Sequence, residues 1–320
     1  MKQRCLAMSP DNRLTELPLE SLQERLAAGH GPVWVDVEDP ASTELGVWFE
    51  SLSISPGAVR VLAEAKGSTQ VRVFNREVFF ELPALASDAG SERVMVAFLC
   101  TKNLCITIHR KPVAALARTA DALTRDLELS KTSTAQLTST ILAGLSEPVI
   151  DEVRDIRSRV LKMQDQMDRD PHGVELDEIL DNGSAIRSLD AITTEHVICF
   201  DKLKLLESTI LDISGNSAFQ AAAADAQYLD RVALRLEKDL TTLHDQYGMN
   251  QQDRTNQRLA FLTVLSAIFL PMTLIASIEG MNFAVMPLRE LPYAYPAILA
   301  LMAVTAAGML WYFRARGWFK

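Results

Sequence analysis

The sequence predicts an α+β domain, a small mixed sheet with helices packed on it, joined through a long stalk helix to two C-terminal transmembrane helices. Three observations carry that prediction. Short β-branched and aromatic runs separated by turn residues fill the first 112 residues. From Pro112 to Arg258 that pattern gives way to long, breaker-poor helical spacing. Then Leu259 to Ile278 pass without a charge, and a second uncharged run covers Tyr295 to Phe313. About 20 apolar residues at 1.5 Å each are what a helix needs to cross ~30 Å of hydrocarbon.

The composition narrows the partners. The chain has 320 residues and a formal charge of −9, carried by the part that precedes the spans. An acidic domain argues against nucleic acid and suits a cation-rich setting. The cysteines Cys5, Cys100, Cys105 and Cys199 form no CxxC pair, and free buried thiols in a reducing compartment are expected. On a single strand, Cys100 and Cys105 would point to opposite faces. The opening residues contain no apolar core of signal-peptide length. Arg254 and Arg258 precede the first span, Arg314, Arg316 and Lys320 follow the second, and the connecting loop carries only Arg289. The positive-inside rule then places both termini in the cytoplasm and the loop outside, a multi-pass arrangement in the cytoplasmic (inner) membrane.

Along the chain, residues 1–112 form the first segment. Val33 to Val37 is a β-branched run bounded by Gly31-Pro32 and Asp39-Pro40. Gln70 to Leu82 and Arg93 to Arg110 each suggest a hairpin, the second turning at Lys102-Asn103. Ser42 to Leu52 and Pro56 to Lys66 have helical spacing. In the helical region 113–216, Ala114 to Leu129, Thr134 to Met167 and Glu175 to Leu211 are the expected helices; Pro148 interrupts the second, and Asp170 to Gly173 separates it from the third.

A stalk helix over 217–258 begins between Ser217 and Ala221, with Leu229, Val232, Leu236, Leu240, Leu243 and Tyr247 as its apolar stripe. Asp230, Arg231, Lys238, Asp239 and Asp245 lie on the opposite face. Gly248 costs a helix only ~1 kcal/mol. A helix continued to Ile278 would hold about 58 residues and measure roughly 87 Å. The remaining segments are transmembrane helix 259–278, loop 279–294, transmembrane helix 295–313 and basic tail 314–320.

Two spans per chain enclose no aqueous path by themselves, so a simple membrane anchor is one reading. The first span offers another. Asn256, Leu259, Leu262, Ser266, Leu270, Thr273 and Ser277 recur at steps of three or four, a stripe that would line a pore if several copies surrounded an axis. Serine and threonine also serve helix packing in lipid, with their hydroxyls bonded to the i−4 carbonyl. Pro271 is equally compatible with both readings. Gly280-Met281-Asn282, taken alone, reads as a glycine C-cap and a loop asparagine.

In context the tripeptide says more. Phe269 to Ala276, FLPMTLIA, precedes it; Phe283, Met286-Pro287 and Tyr295-Pro296 follow, and the chain ends in an aromatic and basic tail, Tyr312 to Lys320. Asn256 stands shortly before the span, and Val33 to Pro40 reads VWVDVEDP. This arrangement resembles the CorA family of magnesium and cobalt transporters. Its GMN motif ends the first of two C-terminal spans, after an FLPxTLxA stretch; it has an asparagine at the cytoplasmic pore entrance and an early WIDxxxP strand.

The resemblance implies a funnel-shaped homopentamer with the first spans around a pore, and channel-like influx of Mg²⁺, with Co²⁺ and Ni²⁺, driven by membrane potential. Gly280, Met281 and Asn282 would form the selectivity filter, with Asn282 holding the hydrated metal and Gly280 permitting the turn. Glu279 and Glu290 would supply charge at the outer mouth. Thr273 would offer hydroxyls, and Leu259, Leu262 and Leu270 apolar constrictions. No cofactor is implied; Mg²⁺ would be both cargo and the regulatory ion that closes the channel. Asp88, Asp212, Asp225, Asp230 and Asp239 are candidate regulatory ligands that no motif fixes, and a solvated acidic helix face explains each as well.

Two departures stand out: Glu279 replaces an aromatic common before GMN, and Met286 to Leu291, MPLREL, replaces the usual MPEL. A zinc-transporting branch of the superfamily and a membrane-anchored sensor or scaffold are the competing readings. An enzyme is not expected, because the five histidines show no ligand or triad spacing and no phosphate loop exists.

Overall fold

The computed structural model describes residues 2–9, 12–29, 31–40, 42–63, 67–86, 92–125, 127–129, 131–206, 210–211, 213, 215–281 and 293–318. The chain divides into two units, Met1–His244 and Asp245–Lys320.

The first unit is built on a seven-stranded mixed sheet. Its strands are β1 (Lys2–Met8), β2 (Leu14–Glu16), β3 (Val33–Glu38), β4 (Gln70–Val73), β5 (Val78–Leu85), β6 (Arg93–Cys100) and β7 (Leu104–His109), in the order β2-β1-β3-β7-β6-β5-β4. β3 and β7 pair in parallel at the centre; every other pairing is antiparallel. Alternation along the strands sends Trp34, Phe80, Leu82, Val96 and Phe98 to one face, and Val33, Val35, Phe79, Leu99 and Ile106 to the other. The second face is covered by α1 (Leu22–Ala28), α2 (Ser42–Ser51) and α3 (Pro56–Ala63) through Leu22, Leu45, Phe49 and Val61. The first is covered by α4 (Ala114–Arg125), α5 (Thr134–Arg169), α6 (Leu176–Lys204) and the start of α7 (Ser217–Glu279). A mixed sheet with helices packed on it is the outcome, as the runs and turns predicted; the helices cover both faces.

Several expectations are corrected. β1 and β2 were not foreseen, because charges interrupt the apolar alternation of Lys2 to Met8; pairing with β3 holds the segment in place. Cys100 and Cys105 lie on successive strands, directly opposite one another, with their Sγ atoms 3.8 Å apart. The Lys102-Asn103 turn converts an odd spacing into a cross-strand pair. All four cysteines are buried and free, as expected. Pro148 does not interrupt its helix: α5 runs unbroken through it, with Leu145, Pro148 and Val149 buried. Burial on this scale offsets the ~3 kcal/mol that an internal proline costs. α6 stops at Lys204, short of the Leu211 end the pattern suggested.

A buried polar chain ties the centre of the sheet to its end. The Trp34 indole N–H donates to Thr107 Oγ1 at 2.9 Å, and Thr107 donates to Asp36 Oδ1. His109 Nε2 lies 3.2 Å from the same carboxylate, while Nδ1 lies 2.6 Å from the Lys111 carbonyl. The WVD segment therefore has a structural job: it anchors the two parallel strands to each other through side chains as well as backbone. At the other edge, Pro83 falls where β5 has outrun β4, so its missing N–H breaks no ladder. His196 of α6 donates to the Pro83 carbonyl at 2.6 Å, and burial lowers its pKa, so it serves as a neutral donor.

α7 begins on an Asn216 cap, whose Oδ1 accepts from Ala218 N at 2.9 Å. It extends 63 residues through Gly248, where a Cβ would meet nothing within 4 Å. Its buried stripe in the first unit is Leu229, Ala233, Leu236, Leu240 and Leu243. Ala233 replaces the predicted Val232, which is half-buried, so the stripe runs in alternating steps of four and three.

Two tests follow from this packing. A Cβ built at Gly144 of α5 would lie 2.0 Å from Thr119 Oγ1 of α4. Gly144→Ala is expected to destabilise the protein by ~1–3 kcal/mol through overpacking, and Thr119→Ala in the same chain should restore much of it; chemical denaturation of the three variants measures both. His109 is the second case. Burial opposes its charged form, but the hydrogen bond and charge of Asp36 outweigh burial and raise its pKa. A raised folded value means that the pair's contribution is fully present below histidine's ordinary ~6.5 and fades as pH rises through the folded value. The melting-temperature gap between the native chain and His109→Gln should therefore shrink between pH 6 and pH 9.

Candidate ion-conduction site

The second unit holds the C-terminal part of α7 and the helix α8 (Ala294–Ala315). Both helices are long and apolar enough to cross a membrane. In α7's apolar window Val264 is the buried side chain, while Leu259, Phe261, Leu262, Phe269, Leu270 and Leu274 are exposed, Leu270 by 70 %. Helices this apolar are stable with such exposure only where lipid or other protein covers them.

At 100° per residue, the predicted stripe from Leu259 to Ser277 falls within about 80° of arc. Asn256, Leu259, Leu262, Ser266, Leu270, Thr273 and Ser277 are all exposed. Ala260, Val264, Ala267, Pro271 and Ile275, which are buried or half-covered, lie on the opposite side of the helix. The chain's own contacts leave this stripe exposed, together with Phe261, Leu265, Phe269 and Leu274 outside it.

The oxygen chemistry of that face is specific. Thr273 Oγ1 donates to the Phe269 carbonyl at 2.8 Å. This is the back-bond expected of a packing threonine, but it uses only the proton and leaves lone pairs on the oxygen. Pro271 has no N–H, so the Ala267 carbonyl lacks its usual intrahelical donor. The helix then ends with Gly280 N bonded to the Ala276 carbonyl at 3.0 Å and Met281 N to Ile278 at 3.2 Å.

Glu279 is the last helical residue, exposed and without an ion pair among the described residues. A carboxylate at a helix C-terminus opposes the macrodipole, so this end concentrates negative potential from two sources. Cations are what such an end attracts. Gly280 is not left-handed here, and a Cβ on it would sit 3.4 Å from the Ala276 carbonyl, an ordinary contact. Gly280 therefore lies in the turn that closes α7 without using the left-handed conformation that favours glycine. Asn282 and Glu290 lie outside the described residues.

Three of the regulatory candidates, Asp225, Asp230 and Asp239, lie on α7. Asp88 and Asp212 lie outside the described residues, Asp225 is exposed on α7, and Asp239 is half-exposed. Asp230 accepts from Thr194 Oγ1 at 2.8 Å. Near it stands Asp190 of α6, which the sequence reading missed; burial, then Asp230 and Glu237, raise the Asp190 pKa. No group of three or more His, Cys, Asp or Glu side chains able to hold a metal occurs among the described residues. At the far end, α8 closes with Gly317 at φ 77°, Trp318 N bonded to the Phe313 carbonyl and their rings 5.4 Å apart. Arg316 lies over the Tyr312 ring at 5.6 Å.

Comparison with known proteins extends the geometry. The family model of the CorA-like Mg²⁺ transporter protein matches residues 29–315. A putative metal ion transporter of Bacillus subtilis is 23 % identical over 314 residues, 96 % of this chain and 95 % of that protein. The CorA magnesium transporter of Methanocaldococcus jannaschii superposes with a TM-score of 0.84 at 18 % identity, covering 100 % of this chain and 99 % of the other. The ZntB cytoplasmic domain of Vibrio parahaemolyticus shares the fold at a TM-score of 0.65 and 13 % identity, over 78 % of this chain and 98 % of that one. The chain belongs to the CorA-like Mg²⁺ transporter family, whose members are membrane transporters of divalent cations rather than enzymes.

Proposed function

We propose that this chain assembles as a homopentamer in the cytoplasmic membrane, both termini in the cytoplasm, and conducts Mg²⁺ inward, with Co²⁺ and Ni²⁺ as further cargo. The observation that carries the reading is the open face of α7, with Ser266, Thr273 and Ser277 among Leu259, Leu262 and Leu270, ending at Glu279. One chain leaves that face uncovered, and several copies around an axis give it an aqueous interior.

The chemistry suits Mg²⁺. The ion gives up its water reluctantly, so its filter offers neutral oxygens to the hydrated ion instead of a tight carboxylate cage. Gly280, Met281 and Asn282 form that filter, with five Asn282 amides holding the first shell of water. Thr273 presents its lone pairs below, and the leucines close the path by dewetting when the helices draw together. Glu279 and Glu290 raise the local cation concentration at the outer mouth. Entry is driven by the inside-negative potential, ~4.6 kcal/mol for a divalent ion per 100 mV, at ~2.3 per charge. The aromatic and basic end of α8 suits the membrane interface, where tryptophan and tyrosine settle and arginine faces the cytoplasm.

Internal Mg²⁺ closes the channel by binding carboxylates between neighbouring subunits, with Asp225 and Asp230 on α7 as ligands together with Asp88 and Asp212. Because α7 continues from its Asn216 cap to Glu279, a shift at Asp230 meets no loop before Leu259.

Purified protein in liposomes loaded with a Mg²⁺-sensitive dye tests the proposal. Under an inside-negative potential Mg²⁺ uptake is expected, and Asn282→Ala should reduce it by roughly two orders of magnitude if the amides supply ~3 kcal/mol of ion stabilisation across the ring. Uptake of Zn²⁺ in excess of Mg²⁺ would instead assign the chain to zinc transport. No uptake of any divalent ion by the intact chain would favour an anchored sensor.

A further inference from the structure

A cavity of ≈ 400 Å³ opens in the first unit on the sheet face covered by α2 and α3. That volume lies within the ~300–1,000 Å³ of small-molecule sites. Its walls are apolar, with Leu45, Val59 and Leu62 on the helix side and Ala97 and Ile108 on the sheet. Glu81 also lines it, although it is only 2 % exposed. On β5 it sits between Gln70 and Ala97, on the same face as Phe79, where alternation calls for an apolar side chain.

Gln70 Nε2 donates to Glu81 Oε2 at 2.9 Å, and among the described residues Glu81 makes no other hydrogen bond. Burial raises its pKa, and the Gln70 bond offsets this in part. Tying β4 to β5 needs no carboxyl, and burying one with a single neutral partner is costly. The lining also carries Arg93, His109, Arg110 and Lys111. Arg93 is paired with Glu195, His109 with Asp36 and Lys111 with Glu92. Arg110 is exposed and makes no ion pair among the described residues. The proposed transport path uses none of these groups.

A ligand that fits must bring three things: an apolar body for the walls, an N–H donor for the buried Glu81 carboxyl, and an anion for Arg110. Free phosphate would satisfy only Arg110. A purely apolar molecule would leave both the carboxyl and the guanidinium unmatched. We propose that this cavity binds a purine nucleoside monophosphate, its base edge on Glu81 and its phosphate on Arg110.

Calorimetric titration of the full chain in detergent with AMP and with GMP tests this, with adenosine, guanosine and inorganic phosphate titrated in parallel. At least one nucleotide should bind saturably, and its nucleoside and free phosphate each at least about ten-fold more weakly. Arg110→Ala should weaken nucleotide binding about ten-fold, and Glu81→Leu by a similar factor or more. Glu81→Gln, which keeps the shape, replaces the leucine variant if that fails to fold. Absence of saturable binding by either nucleotide at millimolar concentration would overturn the proposal. So would phosphate binding as tightly as the nucleotide, or unchanged affinity in both variants. Ion uptake is not the readout, so the result stands apart from the transport reading.

Discussion

In hydrocarbon a backbone N–H or C=O has no water to turn to, so a segment that crosses must satisfy those groups within itself. Between Leu259 and Ile278 the chain meets that constraint as part of α7, which passes Gly248 and Pro271 without a break. The same constraint fixes which irregularities are tolerated. Thr273 returns its hydroxyl proton to the Phe269 carbonyl, whereas Pro271 leaves the Ala267 carbonyl without an intrahelical donor. What remains for a partner is the outer side-chain surface, apolar almost throughout and interrupted by a few oxygens on one side. A transporter follows when that interrupted side meets copies of itself and the other side meets lipid.

The first unit obeys a different constraint. Its sheet is covered on both faces, so any polar group inside must be partnered locally. Trp34, Thr107, Asp36 and His109 solve this as a chain, each satisfying the next across the parallel pair β3–β7. Glu195 does the same at the sheet's other edge, where it receives Thr69 and Arg93 and fixes α6 against β4 and β6. Glu81 differs, since its surroundings provide one neutral donor and an open cavity.

The two long apolar helices and the hairpins were legible because their signals are local: charge-free length, alternating β-branched residues, a Lys-Asn turn. The pore stripe was legible only as a period of three and four along α7. What escaped depended on distant neighbours. β1 is a strand because β3 lies beside it, and its own charged start hides the alternation. Pro148 looked like a break because its helix propensity is poor, but the sheet on which α5 rests decides otherwise. Asp190 acquires its environment from Asp230 and Glu237 on another helix, a relation that no sequence spacing encodes. Glu279 was the least explicable residue in the sequence; at the end of α7 it joins a carboxylate to the negative pole of the helix.

The central claim is that one face of α7 borders water inside the membrane. Single cysteines at Leu262, Ser266 and Thr273, and at Val264 and Ile275 on the opposite side, placed in a chain whose four native cysteines are replaced, test it directly. A charged, membrane-impermeant thiol reagent applied to liposomes should modify the first three and block Mg²⁺ uptake, while leaving the other two unmodified. Equal labelling on both sides, or labelling of Val264 and Ile275 alone, would contradict the account.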